Sequence, residues 1–336
     1  MSNPINERTF EKAAADLKKL LFSVKLGDVK VQLSGESTID AKHFKAVVRT
    51  DDHSVFSVVT DNYNLITNQQ ALEWGKEAFH KLFPQIDVKE IKPYRIHSPS
   101  TQSFCHIQLI HHKVNFQVFD QDLWLPFIQI SNSYNRTYAL SFELGFVRKL
   151  CNNGVIFKKN TVEIRAVHTR TADFEMKMNV GIEELRKMQD EFVVSMKNLR
   201  RFYVDPRYIV PLVCKILKFD FNLQNKDKTE QTLLYDANYE EPNEDRRQLD
   251  ELEQVVKRLA ARYFSDMGHN AYAVFNIVTD LISNEHENIK KFRQFTLHST
   301  TYYYKPMEWL MDFVDKIEKP DFDMEQYLKD YLKYAA

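Results

Sequence analysis

The sequence predicts an α+β protein, and two observations carry that prediction. Alternating or β-branched runs fill residues 29–170, whereas apolar residues spaced three and four apart fill the chain after 172. A third observation narrows the class. The chain has 7 glycines in 336 residues, and no two lie closer than eight positions. Dinucleotide fingerprints and phosphate-cradling loops need glycines two to five apart, so that bare backbone can approach a pyrophosphate. The composition therefore argues against nucleotide-loop ATPases, GTPases, kinases and Rossmann dehydrogenases.

The elements follow in order. Residues 7–26 read as a helix, because Phe10, Ala13, Ala14, Leu17, Leu20, Leu21 and Val24 gather on one face. Strand-like runs then succeed one another: VKVQLSG, FKAVVRT, HSVFSVVT, CHIQLI, VNFQVF, LWLPFIQIS, YALSFELGFV and TVEIRAVHT. One helix interrupts them from Asn68 to Phe83, with Asn68 as its expected N-cap. Beyond 172, the positions Met178, Ile182, Leu185, Gln189, Phe192, Met196, Leu199 and Tyr203 form a heptad seam, which Pro206 stops. Further helices are expected at 206–219, 248–265, 270–285, 287–296, 307–318 and 323–334, with Pro306 at a helix start. The segment 220–247 is poor in apolar residues and reads as a long loop excursion. The expected organisation is a β-rich core domain over 1–172 and a helical region over 173–336.

Charge and cysteine bound the setting. Forty-six basic residues face 47 acidic ones, so the chain does not coat nucleic acid along its whole surface. Cys105, Cys151 and Cys214 are odd in number and far apart, the pattern of reduced thiols. The first twenty residues mix acids and bases without an apolar signal core, and no apolar run reaches a membrane span. These features predict a soluble, cytoplasmic protein without membrane contact.

Chemistry-bearing residues are sparse. His97, Cys105, His106, His111 and His112 crowd one β region, but strand neighbours point to opposite faces. His111 and His112 then cannot face one ion without a bend, and the five read as polar residues on a solvated face. No metal or cofactor is expected. Cys151, flanked by Arg148 and Lys149, is a candidate thiolate, although a free cysteine is more often a small buried hydrophobe. Local charge is more informative. Residues 136–170 hold Arg136, Arg148, Lys149, Lys158, Lys159, Arg165 and Arg170 against only Glu143 and Glu163. Interleaved with Phe142, Phe146 and Phe157, these seven cations are the candidate phosphate contacts of a single-strand binder. Residues 236–253 carry eight acids against Arg246 and Arg247, an acidic excursion. Gly145 and Gly154 bracket Arg148–Asn153, and Gly154 is the residue expected to take positive φ there.

Three stretches carry a resemblance. Thr60 to Ala71 is similar to a family segment of tyrosine, two apolar residues, a polar residue and asparagine leading into a helix. Ile130 to Thr137 resembles an Asn-Ser-x-Asp-Gly-Ser turn, with Asn135-Arg136 in place of Asp-Gly. Arg148 to Gly154 resembles an Arg-x-x-Cys-x-Asn-Gly segment. Weaker support comes from a fourth stretch, Asn270 to Thr279, which is similar to a late family helix. Together they resemble the DUF932 family, phage- and plasmid-like proteins of bacterial mobile elements. The order of strands, helix and meander is also similar to Rad52-like single-strand annealing proteins. The resemblance implies DNA metabolism or conflict between phage and host. The leading expectation is a non-enzymatic protein that binds single-stranded nucleic acid and anneals strands, with self-association through 174–203. The alternative is an interaction module that inhibits or regulates host defence through the acidic excursion. An enzyme using Cys151 ranks third.

Overall fold

The structure, a computed structural model, describes residues 4–33, 37–157, 182–223, 244–284, 286 and 301–335. The described strands lie in the N-terminal half and helices dominate the C-terminal half, so the fold is α+β. It divides into two compact units, Met1–Glu191 and Phe192–Ala336.

In the first unit, α1 (Glu7–Leu20) opens on a capping box. Thr9 N–H donates to Asn6 Oδ1 at 3.2 Å, and Asn6 N–H donates to Thr9 Oγ1 at 3.3 Å. The helix stops at Leu20, not 26, because Val24 starts β1 (Val24–Gln32) and pairs with Arg49 of β2 (Thr38–Arg49). That pairing buries Val24 and overrides the helical spacing. β3 (Val55–Thr60) completes an antiparallel sheet in the order β1-β2-β3. One face covers a core of Val24, Val47, Val59 and Tyr134, backed by Phe22 and Phe56. The other face leaves Phe44 at 48%, Val55 at 60% and Val58 at 47% exposure.

α2 (Asn68–Leu82) follows, capped by Thr67 and not by Asn68. Gln70 N–H donates to Thr67 Oγ1 at 3.2 Å, and Thr67 N–H donates to the Gln70 side chain at 2.9 Å. A six-stranded antiparallel sheet comes next: β4 (Lys92–His97), β5 (Phe104–Ile110), β6 (Phe116–Phe119), β7 (Asp122–Ser133), β8 (Ser141–Arg148) and β9 (Gly154–Ile156). Its order is β4-β5-β7-β8-β9, with β6 on β7. α2 packs on this sheet through Gly75, where a Cβ would stand 2.2 Å from Ile130 Cδ1. Only glycine lets the helix come that close.

The seam helix is α3 (Ile182–Arg201), and Leu185, Phe192, Met196 and Leu199 are buried as expected. Tyr203 is not; it lies past the helix end and is 65% exposed, its backbone bridging to Asn270. The second unit continues with α4 (Ile209–Leu217), α5 (Glu244–Met267), α6 (Ala271–Ser283), α7 (Thr301–Ile317) and α8 (Met324–Leu328). α4 and α6 are apolar nearly all round and buried, so they form its centre. Pro306 lies inside α7 and not at its start. Residues 244–247, expected in the loop excursion, form the first turn of α5. The expected helix at 287–296, Met178 and most of 220–247 lie outside the described residues.

Buried Asp280 on α6 concentrates polar contacts in this unit. It accepts from Tyr263 OH at 2.6 Å, meets His286 Nε2 at 3.1 Å and accepts from Asn284 Nδ2 at 3.2 Å. Burial pushes its carboxyl up, but the bonds from His286 and Tyr263 outweigh burial and hold it below the usual range. A depressed carboxyl stabilises the fold above its unfolded pKa, roughly 4, and that contribution is lost as pH falls through the folded value. Asp280→Asn should therefore cost about 1.5–3 kcal/mol at neutral pH. Thermal melts at pH 7 and pH 3 should show the gap to the parent protein narrowing in acid. An equal gap at both values would contradict this account.

Candidate functional site

Two of the motif stretches meet inside the first unit. Asn132 Nδ2 on β7 donates to Asn68 Oδ1 at 2.9 Å and to Ile66 O at 3.2 Å. Asn68 Nδ2 donates to Leu20 O at 3.0 Å, and Asn68 N–H to Tyr134 OH at 2.9 Å. Cys105 Sγ lies 3.4 Å from Asn68 Oδ1, and Ser57 Oγ donates to Tyr134 O at 2.7 Å. Asn68, Asn132 and Tyr134 are buried, so this network joins α1, α2, β3 and β7 without facing solvent. Burial pushes the Cys105 thiol up to about 12, which keeps it protonated and inert. Sequence spacing signalled these residues but not their structural role.

The third stretch is a tight turn after β8. Arg148 Nε donates to Asp122 Oδ1 at 2.6 Å, both side chains are buried, and Arg148 Nη1 lies 3.8 Å from Cys151 Sγ. Cys151 is likewise buried. Positive φ falls on Asn152, at 57°, and not on Gly154, which begins β9. Asparagine tolerates this conformation through its short polar side chain. Arg95 Nη2 donates to Asn152 O at 2.7 Å and ties the turn to β4.

The expected phosphate contacts fare unequally. Arg148 is committed to its buried ion pair. Arg136 and Lys149 are exposed, but they flank β8 at its opposite ends, roughly 25 Å apart at strand spacing. Arg136 holds φ 66°, where the family pattern has glycine, and Asn135 Oδ1 braces the turn by accepting from Thr137 N–H at 3.1 Å. Lys158, Lys159, Arg165 and Arg170 lie outside the described residues. Of the acidic excursion, residues 236–243 lie outside them too. The rest belongs to α5, where Asp250 pairs with Arg246 and Glu253 with Lys257. Acids there suit the helix N-terminus.

The histidine region is not a solvated face. His106 and His111 are buried, and His106 Nδ1 meets Ser131 Oγ at 2.8 Å. Beside them a buried amide ladder runs across three strands. Gln108 Nε2 donates to Gln129 Oε1 at 2.8 Å, and Gln129 Nε2 to Glu143 Oε2 at 2.9 Å. β5 ends at Ile110, so residues 111–113 turn and the bend absent from a strand is present. The His111 and His112 rings stack at 5.0 Å, and with Glu90 their ligand atoms lie within 4.8 Å of one another. The protons are already placed, however. Lys113 N–H donates to His111 Nδ1 at 3.2 Å, which puts the ring proton on Nε2, 3.0 Å from Glu90 Oε2. Lys113 Nζ also reaches Glu90 at 3.0 Å and holds its carboxyl below the usual range. A cation would have to displace both, so these groups fit a neutral histidine–carboxylate tie better than an ion.

Sequence reasoning missed the open face of the three-stranded sheet. Phe44, Val48, Val55 and Val58 share it, with Lys25 opposite Val48 across the ladder. In the run FKAVVRT alternation puts Phe44, Ala46 and Val48 on one face and Lys45, Val47 and Arg49 on the other, so the more apolar face is the one the pattern would bury. Among the described residues, one side is uncovered.

A protein of this build is an α+β chain whose first unit ties α1 and α2 to its six-stranded sheet through buried asparagines, with Ser57 and Tyr134 linking the three-stranded sheet. The family model described as Domain of unknown function (DUF932) matches residues 55–307. That is most of the chain, which belongs to this family. No curated protein and no solved structure matches it. Among the described residues, no helix is long and apolar enough to cross a membrane.

Proposed function

We propose that the protein binds single-stranded nucleic acid without a chemical step, and that the open face of the three-stranded sheet is its platform. The observation that carries this reading is Phe44, half exposed on the open sheet face, with exposed Lys42 two residues before it on β2 and exposed Lys25 on the neighbouring strand, opposite Val48 and so four residues along from Phe44. Neither lysine has an ion-pair partner among the described residues. Aromatic rings on an open sheet stack bases regardless of sequence, and lysines neutralise the backbone. The order of three antiparallel strands followed by a helix supports the likeness to annealing proteins, as analogy only. In this reading Arg136 and Lys149 add phosphate contacts at the edges, the setting is a mobile element in the cytoplasm, and annealing uses more than one copy.

Fluorescence anisotropy with an oligothymidine tests it. Binding should fall steeply with salt, and Phe44→Ala should weaken it by about 1–3 kcal/mol per stacked base, roughly five- to 150-fold. Arg136→Ala with Lys149→Ala should flatten the salt slope by about one unit each. No binding at about 50 mM salt, or full binding by Phe44→Ala, would reject the platform.

A protein partner is favoured by one observation, the apolar character that Val55 and Val58 give the same face. If Phe44→Ala changes the mass measured by light scattering and leaves oligonucleotide affinity intact, that reading replaces the first.

A further inference from the structure

A cavity of about 540 Å³ opens in the first unit, away from the sheet platform. Its size falls within the range of small-molecule pockets, roughly 300–1,000 Å³. Buried Phe83, just past the end of α2, Val114, in the turn after β5, and Leu185, near the start of α3, form an apolar floor. At the rim stand Lys113 and Arg186, with Gln189 one turn along α3 from Arg186. Glu90 already orients the Lys113 ammonium at 3.0 Å. Arg186 is exposed and has no ion-pair partner among the described residues.

We propose that this cavity binds a small organic anion, with a carboxylate, sulfonate or phosphate head between Lys113 and Arg186 and an apolar body on the Phe83–Val114–Leu185 floor. Two cations from separate elements over one apolar floor give a head-and-body preference that neither feature gives alone. A guanidinium offers paired donors to a planar or tetrahedral oxyanion, and Gln189 can accept or donate beside it. The inference does not depend on nucleic-acid binding, because none of these residues lies on the sheet platform.

The test titrates the full chain with the anionic probe 1-anilinonaphthalene-8-sulfonate and with uncharged N-phenyl-1-naphthylamine. Arg186→Glu should weaken the sulfonate roughly tenfold and leave the neutral probe nearly unchanged, since one charge-assisted contact is worth about a factor of ten. Gln189→Trp, which fills the mouth, should weaken both probes. Both positions lie outside the buried core, and unchanged melting of each variant confirms folding. Equal sulfonate affinity in Arg186→Glu and the parent, or binding of both probes unaffected by Gln189→Trp, overturns the proposal.

Discussion

Arg148→Ala is expected to lower stability by about 3–5 kcal/mol, the cost of removing one partner of a buried ion pair. Asp122 keeps 6% exposure and its carboxylate receives Arg148 Nε at 2.6 Å, so the variant strands a charge away from water. The damage should spread to the turn, because Arg148 N–H donates to Asn153 O and its carbonyl accepts from Asn152 N–H. Replacing both partners, as in Arg148→Met with Asp122→Leu, should recover much of the loss, since no charge is then left unpaired. A double-mutant cycle by thermal melting measures this directly. The opposite outcome is equally informative. An Arg148→Ala protein that melts like the parent and loses only oligonucleotide affinity would restore Arg148 to the phosphate-contacting set.

Gly145→Ala should be nearly as severe, at about 3 kcal/mol, the upper end of ordinary overpacking. A Cβ there would stand 2.3 Å from Phe127 Cζ and 2.3 Å from Val155 O. The ring can turn aside, but the carbonyl belongs to β9 and cannot move without disturbing the pairing of Gly145 with Ile156. Phe127→Leu in the same chain should therefore rescue only part of the loss. Gly154 provides the contrast. Its nearest atom is Phe127 Cε1 at 3.6 Å, an ordinary contact, so Gly154→Ala should fold normally. Melting temperatures of the three variants check the ranking, and a stable Gly145→Ala would show that β9 is free to shift.

The platform and the cavity are differently legible. Phe44 and Lys25 lie on strands that alternation identifies, but alternation would bury the side of the three-stranded sheet that remains bare. The anion cavity draws on residues 83–85, 113–115 and 185–189, three stretches with no common motif. Nothing in the spacing along the chain joins them. The histidine cluster shows the converse. His111 and His112 were expected on opposite faces because a strand dictates it, and the strand ends one residue earlier than that argument needs.

Composition and periodicity determined the fold class, the β-then-α order and the buried seam of α3, and glycine scarcity argued against glycine-rich phosphate loops. These are local properties, set by the period of apolar residues and by backbone freedom at single positions. The family motifs were legible as patterns for the same reason. Only tertiary structure decided what the motif residues do. Asn68, Asn132 and Tyr134 are polar or amphipathic, yet partners far along the chain take up both asparagine Nδ2 groups and the Tyr134 hydroxyl, and burial then turns them into a lock between elements. Arg148 carries the same charge in any fold, but whether that charge meets a phosphate or a carboxylate depends on where β7 places Asp122. Sequence specifies how much charge and apolar surface exists; the packing of distant segments decides which of it water can reach.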